Sequence, residues 1–266
     1  MSKFIQKYLD ISREKKSILC VSLEPALSSQ RSKYVMPNDD RINFMKKIIN
    51  DVAPYSSAIK LNRQYLIGLT ADEIRSINIL IHQNKMLSII DHKLSDIDTS
   101  NDSAIFWFKE ENFDAFTFSP FSANIDKASL IAKQRNLGIV VITLLSNPES
   151  MFYKIATIGE EPLFLHVAGK CKKAEVDGFW IGNAEHIDVK DVSKLKDVIG
   201  SKILALVPIY GNQHQLVKSI IFHFDTYAMI CVGVPIVYSN DPREKAEEFR
   251  DLLNNYQLEM REKKKN

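Results

Sequence analysis

The chain has 266 residues, of which 45% are hydrophobic and 26% charged. That length suits two small domains or one α/β barrel of ~200–250 residues, and the composition excludes a disordered chain, a collagen-like fibre and a small disulfide scaffold. Lys plus Arg total 35 against 33 Asp plus Glu, a net charge of +2, so charge gives no long-range case for nucleic-acid binding.

In chain order, an extra helix is expected over about residues 2–14, where Lys3, Lys7 and Asp10 break up any signal-peptide-like apolar region. The first apolar run is 17–23. A helical pattern over 40–52 follows, with Ile42, Phe44, Met45, Ile48 and Ile49 on one face. The second run, 57–61, precedes a helix over 71–83 that opens on Thr70 and Glu73 at capping-box spacing. The third run is 86–91. Residues 100–110 are ambiguous, because 105–108 are apolar all round. Strands are then predicted at 115–118, 138–144, 178–181, 203–207 and 227–232, and helices at 125–135, 163–172, 189–199, 213–224 and 242–256. A charged tail is expected over about 258–266, frayed over 261–266, with the lysines of 263–265 forming a solvated helix end.

The eight runs are near-continuously apolar instead of alternating, which marks parallel strands covered on both faces. Eight strands, each followed by a helix, give the count of a single-domain α/β fold, the (β/α)8 or TIM barrel, over 1–266. An open doubly wound sheet would favour a glycine-rich loop after the first strand, and Leu23-Glu24-Pro25 offers none. The longest irregular stretches, 24–38 and 147–161, follow the first and fifth strands and fall at the active face of a barrel.

Cys20, Cys171 and Cys231 cannot all pair and form no C-x-x-C motif, so they read as reduced thiols of a cytoplasmic protein. No run reaches the ~18 apolar residues of a membrane span. No histidine pair has metal-ligand spacing, and no metal site is expected. His82, His166 and His223 fall in helical patterns as surface or packing residues, His92 and His214 fall near the proposed face, and Trp107 and Trp180 are expected in the core.

Charged residues at strand ends carry the chemistry. Glu24 ends the first strand, Lys60 lies in the second, and Asp91 ends the third, followed by Lys93 and Asp96. Gathered at one face, they form an alternating network that shifts pKa values and holds a lysine ready to donate a proton. Spacing alone also admits rim salt bridges. Lys60 weighs against that reading, because a lysine between Ile59 and Leu61 is costly to bury unless it is paired. Ser146-Asn147-Pro148 is an ordinary turn sequence, and a lone Gln213 says little by itself.

Taken together, these residues resemble the orotidine 5′-phosphate decarboxylase family. Asp91-His92-Lys93-Leu94-Ser95-Asp96-Ile97 fits its D-x-K-x-x-D-I signature, and Lys60 takes the place of its first catalytic lysine. Cys20-Val21-Ser22-Leu23-Glu24-Pro25 resembles its V-G-L-D-P strand, Asp114–Pro120 its D-A-x-T-x-x-P segment, and Leu145-Ser146-Asn147-Pro148 its S-N-P turn. Residues 207–213 are similar to V-P-G-x-G-x-Q, and 231–236 to V-G-R-P-I. Related barrels acting on sugar phosphates use magnesium and typically carry glutamate where Lys60 stands, so Lys60 favours the orotidine branch.

The resemblance implies a cofactor-free decarboxylase converting orotidine 5′-monophosphate to UMP and carbon dioxide in pyrimidine synthesis, working as a homodimer without nucleic-acid or membrane partners. It implies that Asp91 disfavours the substrate carboxylate, that Lys93 stabilises and protonates C6, and that Lys60 bonds the ribose and orders the network. Asp96 would complete the partner subunit's site. Glu24, Ile97, Ser100, Ser146, Gln213, Gly233 and Val234 would contact substrate, with Ser146 and Gln213 at the pyrimidine. Four departures stand out: Glu24 replaces aspartate, Ser100 replaces threonine, Ile209 replaces glycine, and Val234 replaces the phosphate-binding arginine. The last of these supports an alternative, a weak or non-catalytic paralogue. A related sugar-phosphate decarboxylase or aldolase is another.

Overall fold

Ser2 caps the first helix by accepting a hydrogen bond from the Ile5 backbone N–H, and α1 spans Lys3–Lys15. The structure is a computed structural model describing residues 1–30, 41–209 and 214–265. After α1 come β1 (Leu19–Leu23), α2 (Arg41–Val52), β2 (Ala58–Asn62), α3 (Ala71–Gln83), β3 (Leu87–Leu94), α4 (Asp98–Glu110), β4 (Ala115–Phe118), α5 (Ile125–Gln134) and β5 (Gly138–Leu144). A short helix α6 (Met151–Ile155) and a two-stranded hairpin, β6 (Thr157–Ile158) with β7 (Glu161–Pro162), precede α7 (Leu163–Lys173). The chain continues through β8 (Gly178–Ile181), α8 (Val189–Ile199), β9 (Leu204–Pro208), α9 (His214–Phe224), β10 (Ala228–Val232), α10 (Val234–Val237) and α11 (Pro242–Lys263).

Eight parallel strands close in the order β1-β10-β9-β8-β5-β4-β3-β2. Each strand is buried on both faces, as its unbroken apolar sequence requires. Alternation sorts the side chains. Cys20, Ala58, Leu87, Ile89, Val140, Ile142, Trp180, Leu206 and Cys231 fill the interior. Their neighbours Leu19, Val21, Ile59, Leu61, Ile90, Val141, Phe179, Val207 and Val232 meet the helices. By the same parity Lys60 and Asp91 point inward from within β2 and β3.

One end of the barrel is closed by α1, whose Phe4, Ile5, Tyr8 and Ile11 join the interior cluster. Gly138 is required there, because a Cβ would collide with the Phe4 ring. The Tyr8 hydroxyl is fully buried and donates to the Ala228 carbonyl at 2.5 Å.

The strands and most helices fall where apolar periodicity puts them, and two expectations are corrected. The tail is not frayed from residue 261: α11 runs to Lys263, Met260 is buried, and Arg261 pairs with Asp225 at 2.9 Å. Leu253, Gln257 and Met260 continue one helical stripe through the charged sequence. Trp107 is not core but half exposed, since the buried face of α4 is Asn101, Ile105 and Phe108. The ambiguous segment is a helix, and the irregular stretch after β5 contains α6 and the hairpin. Trp180 is core, as expected, and lies 5% exposed inside the barrel.

Candidate active site

β3 does not end cleanly. Its pairing with β4 shifts register between Ile90 and Leu94, and Lys93 takes φ +54° inside this irregularity. A left-handed lysine is strained, and such strain collects where a side chain has to be aimed. Thr117, facing inward from β4, holds the turn: its Oγ1 accepts from the Lys93 backbone N–H at 2.9 Å and donates to Asp91 Oδ1 at 2.9 Å.

Asp91 is the hub. Its Oδ1 also accepts from Lys93 Nζ at 2.7 Å, and its Oδ2 accepts from Lys60 Nζ at 2.8 Å. Lys60 Nζ lies 3.5 Å from Glu24 Oε1. Four charges of alternating sign thus follow one another from β1 to β3. The side chains of Lys60 and Asp91 are each 3% exposed, whereas that of Lys93 is 38% exposed.

Burial opposes the charges of Lys60 and Asp91, and their partners overcome it. Burial alone would raise the Asp91 carboxyl, but Lys60 and Lys93 hold it well below the usual carboxylate range. Burial would likewise lower Lys60, but Asp91 and Glu24 hold its ammonium above the usual lysine value. Lys60 and Asp91 are therefore held as a charged pair at the centre of the network, with the half-buried Glu24 and Lys93 at its two ends.

A cavity of about 550 Å³ opens beside Lys93. Ser119, Pro120, Ile142, Thr143 and Leu145 line it, and Phe152, Tyr153 and Ile158 from α6 and the hairpin cover it.

The remaining expected residues divide. Ser146 is half-buried at the end of β5, where Gly182 lets the β8 end approach the Leu145–Ser146 backbone. Gly233 passes close to Ser22, and Val234 is 64% exposed at the start of α10. Asp96, Ile97 and Ser100 are exposed and stand apart from the charged chain. Asp96 Oδ1 accepts from the Ile97 backbone N–H at 2.7 Å, and no ion pair holds it among the described residues. Gln213 lies outside the described residues. His92 packs its ring edge on Phe108 of α4 and takes no part in the network. Among the described residues no three metal-ligating side chains cluster.

Two contributors were not singled out from sequence. Thr117 carries a usable signal, a polar residue at an inward-facing strand position. Tyr238 carries none: its hydroxyl donates to the Glu24 carbonyl at 2.6 Å and accepts from the Ala26 N–H at 2.7 Å, pinning the backbone just after Glu24.

Residues 17–249 match the family described as "Orotidine 5'-phosphate decarboxylase / HUMPS family". The chain belongs to this family. Among curated members, it is 26% identical to an orotidine 5′-phosphate decarboxylase of Dehalococcoides mccartyi, over 96% of this chain and 98% of that one. Among solved structures, it is similar to Leishmania donovani UMP synthase at TM-score 0.78 and 21% identity, over 97% of this chain and 57% of that one. It is also similar to the Methanocaldococcus jannaschii orotidine 5′-monophosphate decarboxylase complexed with the inhibitor BMP, at TM-score 0.70 and 20% identity, over 89% of this chain and 98% of that one. The structural likenesses establish the barrel.

Proposed function

We propose that the protein is a decarboxylase that converts orotidine 5′-monophosphate to UMP and carbon dioxide without a cofactor. The observation that carries the reading is the Glu24–Lys60–Asp91–Lys93 chain, buried at its centre, whose last ammonium reaches a cavity. With the pyrimidine in that cavity, Asp91 is a fixed negative charge beside the substrate carboxylate. The C6–carboxylate bond breaks, carbon dioxide leaves, and the electron pair stays on C6. Lys93 supplies the nearest positive charge and then its proton to C6, and regains a proton from water. Preorganised charges of this kind stabilise a developing anion without reorganising during the reaction. Lys60, locked between two carboxylates, keeps Asp91 charged and faces the ribose together with Glu24. Ser146 and Gln213 contact the pyrimidine, and Gly233, Val234, Ile97 and Ser100 complete the substrate surface.

Asp96 stands outside its own network, which supports a homodimer in which it completes the partner's site. An active monomer in sedimentation would sink that part. The reading includes a cytoplasmic setting, and one barrel domain over 1–266.

The decisive experiment follows the loss of orotidine 5′-monophosphate absorbance with purified protein and identifies the product. Stoichiometric UMP is expected. No turnover supports the second reading, a non-catalytic paralogue, which the exposed apolar Val234 favours.

A further inference from the structure

Trp180 comes from β8, four strands from β2 in either direction round the barrel. Its side chain crosses the interior between the neighbouring strand positions Ile142 and Leu206 and is 5% exposed. The ring ends beneath the charged chain: its centroid lies 5.5 Å from Lys93 Nζ and 5.6 Å from Lys60 Nζ.

Two further facts give this contact weight. First, the indole Nε1 is buried with no hydrogen-bond partner among the described residues. Burying a donor without an acceptor carries a desolvation cost that leucine or phenylalanine at this position would avoid. What indole offers in return is the aromatic face that attracts cations most strongly, and more so where water is excluded. Second, the two lysines differ in how they are held. Lys60 sits between Asp91 and Glu24 and is almost wholly buried. Lys93 has one carboxylate contact and a side chain 38% exposed, at the end of a flexible four-carbon stem. Without the ring, Asp91 is the one restraint on the Lys93 ammonium among the described residues.

We propose that Trp180 is a positioning residue for Lys93, its ring face holding the ammonium against Asp91 and closing the underside of the network to water. This rests on the decarboxylase reading and adds to it a residue from the opposite wall of the barrel. The ammonium caught between carboxylate and ring has one place from which to deliver its proton, and loss of the ring lets it sample others.

The test compares Trp180→Leu and Trp180→Phe with the parent in steady-state turnover of orotidine 5′-monophosphate. Trp180→Leu should lower kcat about tenfold, with KM within about twofold. Trp180→Phe, which keeps a weaker ring face, should recover most of the loss. Equal kcat in all three proteins overturns the proposal. So does a loss in which KM and thermal midpoint move along with kcat and phenylalanine ranks no better than leucine, since that marks a filler of space. A second measurement needs neither turnover nor the leucine variant. The chain has two tryptophans, so in Trp107→Phe protein the emission comes from Trp180 alone. Adding Lys93→Met should change that emission, because a charge is removed from the ring face, and unchanged emission overturns the contact. If the parent fails to decarboxylate, the functional reading fails by itself, and the emission still judges whether Trp180 holds Lys93.

Discussion

At one end of the barrel Asp91 stands between Lys60 and Lys93; at the other, Asp114 stands between Lys7 and His82, at 2.7 and 2.8 Å. The two carboxylates are both held below their usual range, against burial: Asp91 by Lys60 and Lys93, Asp114 by its hydrogen bond to His82 and by Lys7. They differ in what surrounds them. Asp114 Oδ2 also accepts from the Ser88 backbone N–H at 2.8 Å, and its contacts tie α1 and α3 to the start of the sheet. No strained strand residue is needed there. The left-handed residues Lys16, Lys85, Asn112, Asn136 and Glu175 sit just past helix ends, where that conformation is ordinary. Lys93 is the left-handed non-glycine residue of a barrel strand among the described residues. Its network opens on a cavity instead of closing on a helix. The same ingredients therefore serve stability where they are fully consumed by the fold, and chemistry where one member is left pointing into space.

Breaking each end in turn separates these uses. Lys93→Ala should cut decarboxylation by at least ~10²–10⁴-fold, the worth of general acid catalysis alone, with the unfolding midpoint nearly unchanged. Turnover at the parental rate removes Lys93 from the chemistry. Phe4→Ala should do the reverse. Emptying the space between α1 and Gly138 should cost ~3–5 kcal/mol in denaturant unfolding, while kcat per folded molecule holds. A variant that kept its stability would show that α1 is not the plug.

Val234→Arg sharpens the picture of the open end. A charge-assisted bond is worth ~1.5–3 kcal/mol, so UMP should bind about one to two orders of magnitude more tightly if phosphate sits at this turn. Unchanged or weaker binding in a titration places the phosphate against another cation, and Arg243→Ala is then the variant to measure.

The smallest effect is in acid. Both aspartates have folded pKa values below the unfolded value of ~3.9. Each contributes stability that is complete above that pH and is lost as pH falls through the folded pKa. Asp91→Asn and Asp114→Asn should each flatten the decline of stability below about pH 4, and only the first should abolish turnover. An acid limb as steep as the parent's in Asp114→Asn would mean that its ion pairs contribute nothing at this end.

How much of this was readable in advance depends on the range of the interaction. Capping of α3 by Thr70 and Glu73 is a three-residue affair, and the full capping box is present. The strand runs needed only local composition, and the spacing 91–93–96 was visible as a motif. The end of α11 was misjudged because its lysines and glutamates outnumber the few side chains that bury. Trp107 was misjudged because four consecutive apolar residues do not say which face of a helix meets the sheet.

Eight doubly covered strands, the helices between them, and a set of lysines and acids in or just after the first three strands are all legible in local sequence. Those follow from periodicity and from the cost of burying a charge, which act within a few residues. That Glu24, Lys60, Asp91 and Lys93 form one chain while Asp96 stands outside it comes from the folded arrangement. Closure likewise brought Trp180 under both ammoniums and Tyr238 onto the Glu24 backbone. Barrel closure sets these distances by the inward parity of each strand and its register with its neighbours, quantities shared between segments scores of residues apart and written in none of them alone.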